Sequence, residues 1–114
     1  MNYKFVCDII KNIKIKVLTK VNVEKVCGTT IIIPDDIDVV GAHAFNELSN
    51  RIIIIPENVS FIDSYAFYNI TNCTIKINAT NLCVKESAFF YCKNLIIHFH
   101  CLGGNVIIDS DSFT

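Results

Sequence analysis

Ile53-Ile54-Ile55-Pro56-Glu57-Asn58-Val59-Ser60-Phe61-Ile62-Asp63-Ser64-Tyr65-Ala66-Phe67 is the stretch whose reading decides the fold. Its frame is I-x-I-P, a polar step, an apolar pair, then A-F. The same frame lies over Ile31 to Phe45 and over Ile75 to Phe89, a fixed step of 22 residues. Ile97 to Phe113 repeats it with two residues inserted. A period of this length marks a solenoid, in which each repeat is too small to bury its apolar side alone and must stack on its neighbours.

Within a coil, side chains alternate across the opening strand. Ile31 and Ile33, Ile53 and Ile55, Ile75 and Ile77, and Ile97 and Phe99 take the inward positions. Pro34 and Pro56 end the first two strands, where a missing amide donor does no harm; Asn78 and His100 stand there later. A second apolar pair follows: Ile37 with Val40, Val59 with Ile62, Leu82 with Val84. Then Ala44, Ala66 or Ala88 permits close packing, and Phe45, Phe67 or Phe89 fills the middle of the coil. Leu48, Ile70 and Cys92 stand three residues on, the spacing of one helical or 3₁₀ turn. Asn50, Asn72 and Asn94 align two residues later, with Gly28 at the matching place before them. Asn and Gly tolerate positive φ best, so a left-handed corner is expected there. Stacking puts Ile on Ile and Phe on Phe, and burial of Phe67 should contribute about 3 kcal/mol.

Outward from these coils the pattern weakens. Residues 1–28 keep the apolar phase but lose the motif: Ile15 falls under Ile37, Leu18 under Val40, Val23 under Phe45 and Val26 under Leu48. They read as a degenerate N-terminal capping repeat, with Ile13, Ile15 and Val17 on one side of a strand and Lys14 and Lys16 on the wet side. Residues 29–114 read as four repeats, the last irregular and uncapped, so its upper face should be open to a partner, to further repeats or to self-association.

The 114 residues carry a formal net charge of −1, which disfavours nucleic-acid binding. The charge is uneven: residues 1–25 sum to +4 and the remainder to −5. Lysines in the first coil read as guards of an exposed strand edge. No apolar run is long enough to cross a bilayer. Met1 to Val17 is broken by Lys4, Asp8, Lys11, Lys14 and Lys16 and does not read as a secretory signal.

The frame I-x-I-P, V-x-x-I, A-F-x-x-C, x-N-L, carried by IIIPDDIDVVGAHAF, IIIPENVSFIDSYAF and SAFFYCKNL, resembles the BspA-type leucine-rich repeats. The resemblance covers residues 29–99 well, 100–114 loosely and 1–28 by phase. It implies a leucine-rich-repeat solenoid, mostly β, with short parallel strands and helical or 3₁₀ turns, without enzymatic activity. Such repeats occur in surface and adhesion proteins that bind matrix or other cells, and also inside cells. Asp63 and Lys85 depart from the pattern where Gly41 keeps it, and Gly103-Gly104 lengthen the last coil.

Six cysteines form no C-x-x-C pair, and none has an in-phase neighbour on the adjacent coil, so they read as reduced. Reduced cysteines and the lack of a signal favour the cytoplasm; the resemblance allows the cell surface. Asn58, Asn69, Asn72 and Asn78 open N-x-S/T patterns that matter only in a secreted eukaryotic protein. His98, His100 and Cys101 form the one ligand-like cluster, read as a solvent-facing and a corner histidine rather than a metal site. No nucleophile–base pair or phosphate loop is visible, and no cofactor is expected. The binding candidate is the outward row of the main sheet, Ile32, Ile54, Lys76 and His98, flanked by Ile52, Thr74 and Ile96, since exposed apolar residues in a row mark an interface. A protein partner of unknown identity is expected there. An intracellular structural solenoid that self-associates or continues into further repeats is the alternative.

Overall fold

The computed structural model describes residues 15–20, 28–100, 105–109 and 111–114. Ile13, Lys14, Val23, Val26, Gly103, Gly104, Cys7, Cys27 and Cys101 lie outside them. The chain is a parallel-strand β-solenoid of about four turns. Its main sheet holds β2 (Thr30–Ile32), β4 (Ile52–Ile55), β6 (Thr74–Ile77) and β8 (Ile96–Phe99) in that order. The second sheet holds β1 (Val17–Leu18), β3 (Val39–Val40), β5 (Phe61–Ile62), β7 (Asn81–Val84) and β9 (Asn105–Ile108). Consecutive strands therefore belong to opposite sheets, and each pairs with the strand one coil away.

The register follows the repeat. In the main sheet Ile31 pairs with Ile53, Ile53 with Ile75 and Ile75 with Ile97. In the second sheet Leu18 pairs with Val40, Val40 with Ile62 and Ile62 with Val84. Val84 then pairs with Ile108, two residues late. The main sheet keeps its step at β8, so the insertion lies between β8 and β9, the segment that contains Gly103-Gly104. The third coil is irregular in a defined way. Ala79 and Leu82, both buried, fill the place that Ile37 and Val59 fill earlier, and β7 is correspondingly longer.

Between the sheets, Ile33, Ile53, Ile55, Ile62, Ile75 and Ile77 are closed from solvent. The phenylalanines form a continuous column: Phe45 on Phe67 at 5.0 Å, Phe67 on Phe89 at 5.0 Å, and Phe89 on Phe113 at 5.1 Å between ring centroids. The rings lie within 14° of parallel, so each coil sets the ring plane of the next. Phe113, at the top, is 51% exposed.

The stretch after each Phe is a run of turns hydrogen-bonded to the neighbouring coil. The Phe45 amide donates to the Ala66 carbonyl, Phe67 to Ala88 and Phe89 to Ser112, each at 2.8 Å. Glu47 donates to Tyr68 O at 2.9 Å and Asn69 to Phe90 O at 2.8 Å. The expected helical turn is thus mostly replaced by axial bonds, with three-residue closures where Phe90 donates to Ser87 O, Cys92 to Phe89 O and Thr114 to Asp111 O. Asn50, Asn72 and Asn94 have φ of 57°, 56° and 53°, and Gly28 has φ 112°, as expected for the corner. Two further left-handed rows recur: His43, Tyr65 and Ser87, and Glu47, Asn69 and Tyr91.

Two sequence expectations are corrected. In the first coil the inward residue of the short strand is Leu18, at 4% exposure, while Ile15 and Val17 are exposed. The phase reading of Leu18 under Val40 holds; the alternation that put Ile15 and Val17 on the inward side does not, because the inward phase of this strand is Leu18's. In the last coil Phe99 is 49% exposed although it pairs in register above Ile77, since no described coil covers it. Gly41 is needed for close approach: a Cβ there would stand 2.8 Å from the Leu18 carbonyl oxygen. Asp63 and Lys85 donate the equivalent amide bonds, to Val40 O and Ile62 O, with their side chains in place. Lys16 Nζ meets Asp36 at 2.6 Å and ties the first coil to the second. The contact raises the lysine pKa and lowers the aspartate's through their hydrogen bond.

Ser112 occupies the alanine position of the fourth coil, fully buried, with its hydroxyl unpartnered among the described residues. In urea unfolding, Phe67→Ala should lower stability by about 3–5 kcal/mol through the cavity left in the column. Ser112→Ala should raise it by about 1 kcal/mol by removing an unsatisfied hydroxyl.

Candidate functional site

Inward residues of the main sheet leave the alternate positions to form its outer face. The register aligns them in two rows. Thr30, Ile52, Thr74 and Ile96 make one; Ile32, Ile54, Lys76 and His98 make the other. All seven residues expected from the sequence therefore share one surface. Ile32 is 61% exposed, Ile96 55% and Ile52 37%; Lys76 and His98 are exposed, and Ile54 and Thr74 are half-buried. β-branched side chains suit a pleated surface, but that accounts for the shape of the face and not for three isoleucines turned to water. The face is apolar over the first coils, polar at Lys76 and His98, and apolar again at Ile96.

Two residues along each strand, the face runs into a corner. Pro56, Asn78 and His100 continue the row of Ile54, Lys76 and His98. They line an open cleft of about 680 Å³ together with Asp35, Glu57, Asn58 and Thr80. Nothing in the repeat marks this cleft, because by their spacing Pro56, Asn78 and His100 are simply strand ends.

A second unforeseen feature lies on the turn side. His43 stacks on Tyr65 at 5.7 Å, and Tyr68 stacks on Phe90 at 6.0 Å. Tyr65 and Tyr91 meet this pair edge-on or tilted, at 5.6 Å from Phe90 for Tyr65 and 4.2 Å from Phe90 for Tyr91. The signal is present in the repeat: positions 43 and 65, and 68 and 90, are one coil apart. It is hidden by the inward Phe beside each of them.

His98 and His100 are both exposed on and after β8. Among the described residues no group of three or more His, Cys, Asp or Glu is placed to hold a metal ion, and no helix is long and apolar enough to cross a membrane. Cys73, Cys83 and Cys92 are free. Cys73 is buried and its thiol faces the Thr71 carbonyl at 3.4 Å. Cys92, half-buried, donates to Phe67 O at 2.8 Å, and burial pushes its pKa up to about 11. Cys83 departs from a core reading: it faces out of β7 between the buried Leu82 and Val84.

The model of the BspA type leucine rich repeat region (6 copies) matches residues 23–114, most of the chain. The chain belongs to the BspA-type leucine-rich repeat family. No curated protein matches it, and no solved structure does. Leucine-rich repeats of this kind generally serve as non-enzymatic interaction scaffolds, and the family points to protein partners. The leucine-rich-repeat positions supply the inward Ile and Phe; the outer rows are where members of such an array can differ without disturbing the stack.

The cysteines give a direct check of side-chain placement. At pH 8 Cys92 holds on the order of a thousandth of its thiol as thiolate, from a pKa of about 11. Among the three described cysteines, iodoacetamide labelling with peptide mapping should therefore modify Cys83 first, Cys92 far more slowly, and Cys73 only on unfolding.

Proposed function

We propose that this chain is a non-catalytic protein–protein interaction module of the surface or adhesion type, binding through the outward face of the main sheet. The observation that carries this is the pair of rows from Ile32 to His98 and from Ile52 to Ile96, with three exposed isoleucines on one surface. Single exposed aliphatics are ordinary; Ile32, Ile54 and Ile52 form a contiguous apolar patch on the first coils, with Ile96 beyond Thr74, and such patches are what protein interfaces cover. The rigid, strand-built backbone favours a partner of matching shape, because little ordering entropy is lost on docking. Lys76 and His98 supply the polar part of the face and set orientation.

The test is binding of the purified chain to extracellular-matrix proteins and to whole cells, wild type against Ile54→Asp/His98→Asp. Both substitutions sit on the outer face and should leave the circular dichroism spectrum unchanged. A loss of at least tenfold in affinity is expected; unchanged binding would remove the face from the site.

A second reading rests on a separate observation. The last coil exposes Phe99 (49%), Ile107 (65%) and Phe113 (51%), and β8 and β9 are edge strands. Unpaired edges with apolar side chains are templates for another chain. A structural solenoid that associates through this end is the alternative. Sedimentation equilibrium should then show concentration-dependent dimers, abolished by Phe113→Lys; a monomer at every concentration would dismiss it.

A further inference from the structure

We infer that the main-sheet face selects a partner segment carrying a carboxylate beside aliphatic side chains, with the carboxylate seated between Lys76 and His98. The inference rests on the reading that this face binds protein, and it names the chemistry of that partner.

Three observations carry it. First, charge is segregated. Residues 26–114 hold nine acidic against four basic side chains, yet none of the nine acids lies in β2, β4, β6 or β8. The outer rows of the face carry Lys76 and His98 and no acid, on a body that is acidic around them. Strands disfavour glutamate and lysine to a similar degree, so propensity alone would not keep the lysine and leave out the acids.

Second, the two basic groups are adjacent and unengaged. The register pairs Lys76 directly with His98, which sets their strands about 4.8 Å apart. Both side chains are exposed, and neither makes an ion pair or a side-chain hydrogen bond with any described residue. Arg51, beside the face before Ile52, differs: its guanidinium donates to the Gly28 carbonyl at 2.7 Å. A carboxylate has two acceptor oxygens, so a single one takes a hydrogen bond from Lys76 and another from the His98 ring.

Third, the surroundings fix where that carboxylate sits. Toward the first coils it would meet Ile54, Ile32 and Ile52, which offer it no donor. Along the strand it would meet His100, exposed and two residues beyond His98. His100, however, lines the corner cleft together with Asp35 and Glu57, so a carboxylate placed there faces like charge. The Lys76–His98 position offers two basic donors without a facing acid.

The spacing of the face gives the rest of the pattern. The middle of the basic pair lies about one and a half coils from Ile54, roughly 7 Å, and an extended chain sets successive same-side residues about 6.7 Å apart. A partner strand running across the coils therefore places an aliphatic residue on Ile54 when its acid sits over the basic pair, and its preceding same-side residue over Ile32. The recognised pattern is aliphatic-x-aliphatic-x-acid. The aliphatic contacts supply area, and the acid supplies selectivity and direction.

The experiment titrates the ¹⁵N-labelled full chain with Ac-Ser-Ile-Ser-Ile-Ser-Glu-Ser-NH₂ and with the same peptide carrying Gln or Lys in place of Glu. The Glu peptide should give saturable shifts at Ile54, Lys76 and His98. It should bind at least fivefold more tightly than the Gln peptide and lose that margin as salt is raised; the Lys peptide should be the weakest. Lys76→Glu should reverse the order of the Glu and Lys peptides while the rest of the spectrum is kept. Equal binding of the three peptides, or an order unchanged by Lys76→Glu, would overturn the inference. Ile54→Asp separates the two readings. If the three peptides bind equally and all are lost in Ile54→Asp, the face stands as a protein site and its preference for an acid falls. Shifts at Lys76 and His98 with oligothymidylate, and none with the Glu peptide, would overturn both in favour of nucleic acid.

Discussion

The backbone amides of the strands, and most of those in the turns, look along the solenoid axis to partners on the next coil. This is the constraint on which the rest depends. A β-strand with an unpaired edge leaves a row of donors and acceptors unsatisfied, and a buried unsatisfied group costs about as much as a lost hydrogen bond. The axial bonds extend well beyond the strands. They run through Gly41, His43, Phe45, Glu47 and Asn50 to the coil above or below, so the turn side is tied as closely as the sheets. Identical spacing then forces like onto like. The Phe column at 5.0–5.1 Å and the isoleucine ladders are consequences of backbone register, and their burial is the return on it.

Closing a coil this tight requires bends that ordinary residues resist. A non-glycine residue in the left-handed region costs roughly 1–2 kcal/mol. The three left-handed rows include His43, Tyr65, Ser87, Glu47 and Tyr91, none of them an easy occupant. What holds them is the same axial bonding: His43 donates to Tyr65 O at 3.0 Å and Tyr65 to Ser87 O at 3.0 Å. The strain is shared out along a repeat, and each bent residue is over-determined by a neighbour bent in the same way. This is also why the rows pass unseen in the sequence. Asn50, Asn72 and Asn94 announce their corner by residue type, whereas Tyr65 and Glu47 are bent by tertiary bonds that no local preference encodes.

The same division explains how much of the fold and the site was legible. Inward positions are chosen by packing and recur, so Ile53, Val59 and Phe67 could be placed from their period alone. The outer rows followed at once, because side chains of a strand alternate and the register is the period. Where the period slips, prediction slips with it. Leu82 replaces Val59 one position late; in the first coil the phase of Leu18 under Val40 holds, and it is the Ile13–Val17 alternation that misplaces the inward side. The cleft at Asp35, Glu57 and Asn78 was beyond reach for a different reason. Its walls come from the phase just after the strands, where residues differ from coil to coil and no repeat letter marks them. The aromatic cluster of His43, Tyr65, Tyr68, Phe90 and Tyr91 had a repeat signal, but one overlaid by the stronger Ala-Phe frame.

A stacked array separates stability from recognition more cleanly than a globular core does. Ile53 and Ile55 face the column, and Ile54 between them faces outward; one strand serves both roles by alternation. Changes at the inward rows propagate through every coil, since each is the template for the next. Changes at the outer rows reach only the immediate neighbours. Under the proposed function, selection on binding acts on Ile32 and Ile54 with little effect on the inward stack. An outward isoleucine adds only partial burial and cross-strand contact to the stack, and threonine satisfies the same β-preference, as Thr74 does in the third coil. Ile52 and Ile96, which flank Thr74 in its row, are therefore the positions of that row where the proposed contact with a protein has most apolar surface to cover.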